Sequence, residues 1–175
     1  MEQSAKEFDW LLNKISGVES ILEIGCRYGD SLKAMAKVAK PGAKLRAIDH
    51  GQPSGECHNP SMKELRATIK ELKAQGFDAE ALFCDSHDPE ALEWAKQQGP
   101  FDFIFVDADH SYEGVKKDWE WYGPLGKRIG FHDIAMVGTG EQVHRLWAEL
   151  GRTHATQEMT EPSGPGTGIV VMAAS

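Results

Sequence analysis

Residues 101–112 read Phe101-Asp-Phe-Ile-Phe-Val-Asp107-Ala-Asp109-His110-Ser-Tyr112, an apolar run broken off by two carboxylates and an imidazole. A strand with no polar face is buried on both sides, which is the signature of an inner strand of a parallel sheet. In open sheets of that kind ligands bind in the crevice at the carboxyl ends of the strands. Asp107, Asp109 and His110 therefore stand where a ligand is handled. A helix cap alone would need one such residue, not three.

The chain on either side alternates short apolar runs with helical patterns. Phe8, Leu11, Leu12 and Ile15 follow helical spacing, Ser16-Gly17 ends that helix, and a strand is predicted over 20–24. A helix over 31–39 leads through Pro41-Gly42 to a strand over 44–49, ending in Asp49. A long loop runs to about residue 59, and Ser61-x-x-Glu64 reads as a capping box ahead of Leu65, Ile69 and Leu72. Gly76 closes that helix before a strand over 79–84, again followed by a carboxylate, Asp85. Asp88-Pro89 opens the next helix and Gly99-Pro100 stops it before the strand at 101–106. A helix from Tyr112 carries Val115, Trp119 and Tyr122, a strand follows over 128–132, and Val143, Leu146, Trp147 and Leu150 share one face of a last helix. Two late strands are predicted at 155–159 and 169–173. The segment between them is too short for a crossover helix of about a dozen residues, so they pair antiparallel. The expected architecture is α/β: a single-domain, Rossmann-like doubly wound sheet of seven strands, five parallel plus a C-terminal antiparallel hairpin. Residues 1–16 form an N-terminal helix and 20–175 a cofactor-binding core.

Composition limits the function. At 175 residues with 41% apolar content the chain buries one core. A net charge of −8 opposes a nucleic-acid partner, whose phosphates call for Lys and Arg, and favours a small-molecule substrate. No basic region followed by an apolar run opens the chain, and no stretch of about 18 residues is apolar throughout, so a cytoplasmic protein without a membrane partner is expected. Cys26, Cys57 and Cys84 include no C-x-x-C pair and fit reduced thiols. His50, Cys57 and His58 match no zinc-ligand spacing. Lys116-Lys117 reads as a solvated helix face, and Trp119, Trp121 and Tyr122 as core with one aromatic left for an interface or lid.

The first turn, Glu23-Ile-Gly25-Cys26-Arg27-Tyr-Gly29-Asp30-Ser31, lets the backbone approach a ligand closely, and Asp49 after strand two is placed to take both hydroxyls of a ribose. A dinucleotide fingerprint would require glycine where Arg27 and Asp30 stand. A pyrophosphate would meet Asp30 at the helix N-terminus, and Glu23 adds further negative charge. A zwitterionic or cationic nucleoside such as S-adenosylmethionine suits the pocket better than NAD.

These residues resemble the class I S-adenosylmethionine-dependent methyltransferases, in particular the metal-dependent O-methyltransferase branch. Glu23, Gly25, Gly29 and Ser31 match the Glu-x-Gly-x-x-x-Gly-x-Ser of caffeoyl-coenzyme-A-type and catechol-type enzymes, and Phe105-Val-Asp107-Ala-Asp109-His110 is close to their Phe-Val-Asp-Ala-Asp-Lys. The cephalosporin-hydroxylase-like and macrocin-type sugar O-methyltransferases look closer still in Asp-x-x-His-Ser-Tyr and in the Gly-Phe-His-Asp ending, here Gly130 to Asp133. The resemblance covers roughly residues 21–172.

It implies that Glu23, Gly25, Gly29 and the backbone near Cys26 border the methionine part of the cofactor, with Ser31 holding its carboxylate. Asp49, beside His50, would bind the ribose, Asp85 and Ser86 the adenine, and Asp109 the amino group. Asp107 would ligate a divalent metal, Mg or Mn in the family, with His132 and Asp133 as the other two ligands. The sequence departs from the family there, because relatives place oxygen ligands at both positions; imidazole suits Mn²⁺, Fe²⁺ or Zn²⁺ better than Mg²⁺. The implied reaction is direct displacement by a substrate hydroxyl, with Asp107 and His110 as catalytic residues, His110 removing the proton and a sugar diol or catechol as acceptor. The alternative for His110 is a hydrogen bond to Tyr112 or backbone. Relatives build a substrate lid from extra N-terminal segments, so a second copy in a homodimer is a candidate to complete the site. Competing classes are a nicotinamide-dependent oxidoreductase, against which the missing glycine and the absent Tyr-x-x-x-Lys argue, and a non-catalytic cofactor-binding protein.

Overall fold

The computed structural model describes residues 5–51, 60–138, 140–162 and 164–173. Cys57, His58 and the side chain of Ser61 lie outside the described residues. The elements are α1 (Ala5–Lys14), β1 (Ser20–Ile24), α2 (Asp30–Val38), β2 (Lys44–Ile48), α3 (Pro60–Ala74), β3 (Asp78–Leu82), α4 (Pro89–Gln98), β4 (Phe103–Val106), α5 (Tyr112–Tyr122), β5 (Arg128–His132), α6 (Val143–Thr153), β6 (Ala155–Met159) and β7 (Thr167–Val171). They form one seven-stranded sheet in the order β3-β2-β1-β4-β5-β7-β6. The first five strands are parallel, and β7 is antiparallel to both β5 and β6. The expected hairpin is therefore present, with its second strand inserted between β5 and the first.

Strand periodicity builds the two faces. In β4, Phe103 and Phe105 face a core made with Leu11 of α1, Ile15 just after it, Leu32 and Met35 of α2, and Leu65 and Leu72 of α3. Ile104 and Val106 face the opposite core with Ala91, Ala95, Val115, Tyr122, Leu146 and Leu150 of α4, α5 and α6. Each fully buried Val, Leu, Ile, Met or Phe side chain among them contributes about 1.5–3 kcal/mol, so the sheet is held from both sides. Gly130 of β5 makes room for this packing: a Cβ there would lie 2.6 Å from the Phe103 ring.

Four strands differ in their bounds from expectation, the first being β2, which stops at Ile48, one residue before Asp49. β4 begins at Phe103, because the Asp102 side chain turns to accept the Glu19 backbone N–H at 2.8 Å and leaves Phe101 with a single bridge to Gly126. β3 stops at Leu82, where Phe83 packs against the first core under the Arg66 guanidinium, 4.2 Å from its ring centre. β7 spans Thr167–Val171, two residues earlier than read, in register with β5 from His132 to Arg128. Among the described residues no helix is long and apolar enough to cross a membrane.

Candidate active site

The register aligns the strand ends. Ile24 pairs with Ile48 and Val106, Ile48 with Leu82, and Val106 with Phe131, so these five residues form one row across the sheet. The next residue along each strand, Gly25, Asp49, Phe83, Asp107 and His132, therefore emerges at one edge. Strand order reverses between β1 and β4, the switch point at which such sheets bind ligands.

The β1 turn is built for close approach. Gly25 has φ 86°, and a Cβ on it would lie 2.2 Å from the Asp107 carbonyl oxygen. Gly29, with φ 83°, caps α2 against Thr68 and Leu65. Glu23 is fully buried; Ser31 donates its hydroxyl to one carboxyl oxygen, while Oε2 has no hydrogen-bond partner among the described residues. Burial pushes the Glu23 carboxyl up to about 8 against the Ser31 bond, so it is neutral below that pH. The Cys26 thiol is buried between strands, donating to the Glu23 carbonyl at 3.2 Å, so that residue offers the site its backbone. Asp49 ties the second strand to the turn: Oδ2 accepts from Arg27 N and Oδ1 from Gly51 N, each at 2.6 Å. His50 beside it is exposed.

Asp107, His110, His132 and Asp133 converge on one point. Asp107 Oδ1 lies 3.3 Å from His110 Nε2 and 3.2 Å from His132 Nδ1; Asp133 Oδ2 lies 3.2 Å and 3.4 Å from the same two nitrogens. Asp133 reaches back through a left-handed backbone, φ 61°, which Asp adopts more readily than most residues. Its other oxygen, Oδ1, is buried without a hydrogen-bond partner among the described residues. Burial works to raise the Asp107 carboxyl, but bonds from both imidazoles hold it below the usual range. Burial likewise opposes charge on His132, yet the two carboxylates lift it to about 10. The bond to Asp107 raises His110.

This donor set fits a divalent cation. The ligand atoms of Asp107, His110 and Asp133 all lie within 4.8 Å of one another. Neighbouring donors around a cation bound at roughly 2.1 Å stand about 3.0–3.4 Å apart, which is the spacing seen here. Both imidazoles bridge the two carboxylates, which is the part a cation would take over.

The structure thus brings together the three residues read as metal ligands and places His110 against two of them. His110 does not bond Tyr112, whose hydroxyl goes to Glu149 at 2.9 Å; its backbone carbonyl accepts from Gln142 N at 2.7 Å. Asp107 caps no helix, since Ser111 is the α5 cap. Asp109 turns toward that helix, accepting from Ser111 N at 2.8 Å and lying over Gly114. Asp85 and Ser86 follow β3 at the same edge and are fastened to α5 through His87, Asp118 and Tyr122. His87 and Asp118 escaped the sequence reading and Tyr122 was read only as core or lid, because pairs some thirty residues apart carry no local signal.

Residues 22–134 match the family model described as a methyltransferase domain. No curated protein matches the sequence. Among solved structures the chain is similar to the O-methyltransferase from Bacillus cereus in complex with SAH, at 19% identity and TM-score 0.67, over 98% of this chain and 83% of that one. It is similar to the O-methyltransferase TomG from Streptomyces achromogenes, in complex with SAM, at 18% identity and TM-score 0.66, over 99% and 82%. It is also similar to the N-methyltransferase NodS from Bradyrhizobium japonicum WM9, at 14% identity and TM-score 0.61, over 94% and 93%. The likeness extends to oxygen and nitrogen methylators, so it establishes the fold and leaves the acceptor to the site.

Proposed function

The chain belongs to the methyltransferase-domain family, and from that premise we propose that it transfers the methyl group of S-adenosylmethionine to a hydroxyl of a small molecule with two adjacent oxygens, a sugar diol or a catechol, with the help of a divalent cation. The observation that carries this reading is the ring of Asp107, His110, His132 and Asp133 directly beside the Gly25 turn.

When bound, the cofactor supplies an electrophilic methyl on a sulfonium, and the cation supplies positive charge that lowers the pKa of a coordinated hydroxyl. The Gly25 and Gly29 turn takes the methionine part, with Glu23 and Ser31 beneath it. Asp49 takes the ribose hydroxyls, the 85–86 segment the adenine, and Asp109 the amino group. Asp107, His132 and Asp133 would hold the cation and so align the acceptor. His110, whose Nε2 stands 3.3 Å from Asp107 Oδ1 and 3.2 Å from Asp133 Oδ2, would accept the proton of the acceptor hydroxyl. A nitrogen acceptor would need no such cation, and the buried carboxylates favour oxygen for that reason.

Transfer of tritiated methyl from the cofactor to a panel of catechols and sugar diols, with Mg²⁺, Mn²⁺ or chelator, tests the proposal. Label on a diol only with metal supports it. Label on amines regardless of metal contradicts it.

A further inference from the structure

We propose that His87, held by the buried carboxylate of Asp118, is a positioning residue that sets the nucleoside end of the cofactor site; the inference rests on the methyltransferase reading above.

The segment after β3 is tied to α5 by four polar contacts. The Tyr122 hydroxyl donates to the Ser86 carbonyl at 2.5 Å, and the Lys117 ammonium to the His87 carbonyl at 3.2 Å. His87 N donates to Asp85 Oδ1 at 2.8 Å. His87 Nε2 stands 3.1 Å from Asp118 Oδ1 and 3.2 Å from the Gly114 carbonyl. Asp118 is fully buried on α5. A carboxylate in that position is costly unless it directs a partner, and packing alone would be served by an apolar residue. Its partner is an imidazole that bridges helix to loop.

Gly114 extends the clamp to the other side. A Cβ on it would lie 2.1 Å from Asp109 Cγ, so the first turn of α5 has Asp109 against its Cα and His87 against its carbonyl. Of the three contacts assigned above to the cofactor outside the glycine turn, Asp49 is one, and Asp109 and the 85–86 segment are the other two. Their separation is set by one helical turn, and His87 fixes one side of it. The cation site lies on the strand ends before α5 and does not share these bonds.

The experiment titrates methylthioadenosine and, separately, S-adenosylhomocysteine and Mn²⁺ into the full chain and its His87→Ala, His87→Gln and Asp118→Asn variants. His87→Ala is expected to weaken both nucleosides by about tenfold or more, the effect of stranding one buried polar group, and by the same factor for each. Mn²⁺ affinity stays within about twofold, and His87→Gln, whose amide still donates to Asp118, recovers most of the loss. Asp118→Asn, which keeps the fold's packing, shows a smaller loss of the same kind. Unchanged nucleoside binding in His87→Ala overturns the positioning role alone. Equal losses for nucleosides and Mn²⁺ with a lowered melting temperature overturn it as well, in favour of a merely structural role. No nucleoside binding by the unaltered chain overturns both this inference and the methyltransferase reading.

Discussion

Gly25 and Asp107 touch through their backbones: a Cβ on Gly25 would sit 2.2 Å from the Asp107 carbonyl oxygen. The turn that receives the cofactor and the strand end that carries the central carboxylate are thus one surface, and no side chain fits between them. Gly25→Ala meets both this contact and a φ of 86°. We expect it to destabilise the fold by about 2–4 kcal/mol and to abolish S-adenosylhomocysteine binding, measured by denaturation and calorimetry together.

The mixed donor set makes a prediction about the cation. The His132 imidazole beside the carboxylates of Asp107 and Asp133 favours Mn²⁺, Fe²⁺ or Zn²⁺ over Mg²⁺. Chelator-treated protein is expected to bind Mn²⁺ at least about tenfold more tightly than Mg²⁺, and saturating Mn²⁺ at 100 times its Kd to raise stability by about 2.7 kcal/mol. Asp133→Asn should remove most of that stabilisation. Equal affinity for the two ions would contradict the assignment of His132 as a ligand.

Glu23 gives the pH dependence. Its folded value, about 8, lies above the ordinary 4.5, so the folded state holds a proton the unfolded state has lost. Its contribution to stability is fully present below about 4.5 and is lost as pH rises through 8. Glu23→Gln should flatten the stability profile across that window. Cofactor bearing a positive sulfonium and ammonium favours the ionised carboxyl, so binding near pH 7 should release about one proton. Calorimetry in buffers of different ionisation heat reads that proton, and its persistence in Glu23→Gln would remove Glu23 from the role.

His110→Ala separates proton transfer from binding. It should lower kcat by about 10²- to 10⁴-fold while leaving S-adenosylhomocysteine affinity within about threefold. Full activity in the variant would leave His110 without a catalytic part.

Much of this was legible in the sequence because a parallel sheet turns strand ends into neighbours. The bounds of β1, β5 and β6 coincide with the reading, since each is a short run with turn residues on both sides. Asp107 and Asp133 follow strands that pair side by side, so a strand-by-strand reading suffices to bring them together. That His110 faces Asp133 was not legible: it depends on the left-handed backbone of Asp133 and on the bond from Gln142 that fixes the His110 carbonyl. The insertion of β7 beside β5 likewise depends on tertiary packing, with Gly168 lying flat against Trp147. The His87–Asp118 pair joins a loop to a helix and has no periodicity to betray it.

The central claim is a metal-assisted transfer to oxygen at the Asp107 centre. Its most direct test is calorimetric titration of S-adenosylmethionine into chelator-treated protein, repeated with Mn²⁺ and a catechol. The account predicts cofactor binding without metal and catechol heat that appears only once Mn²⁺ is present. Absence of cofactor heat under both conditions, or catechol binding indifferent to metal, would contradict it.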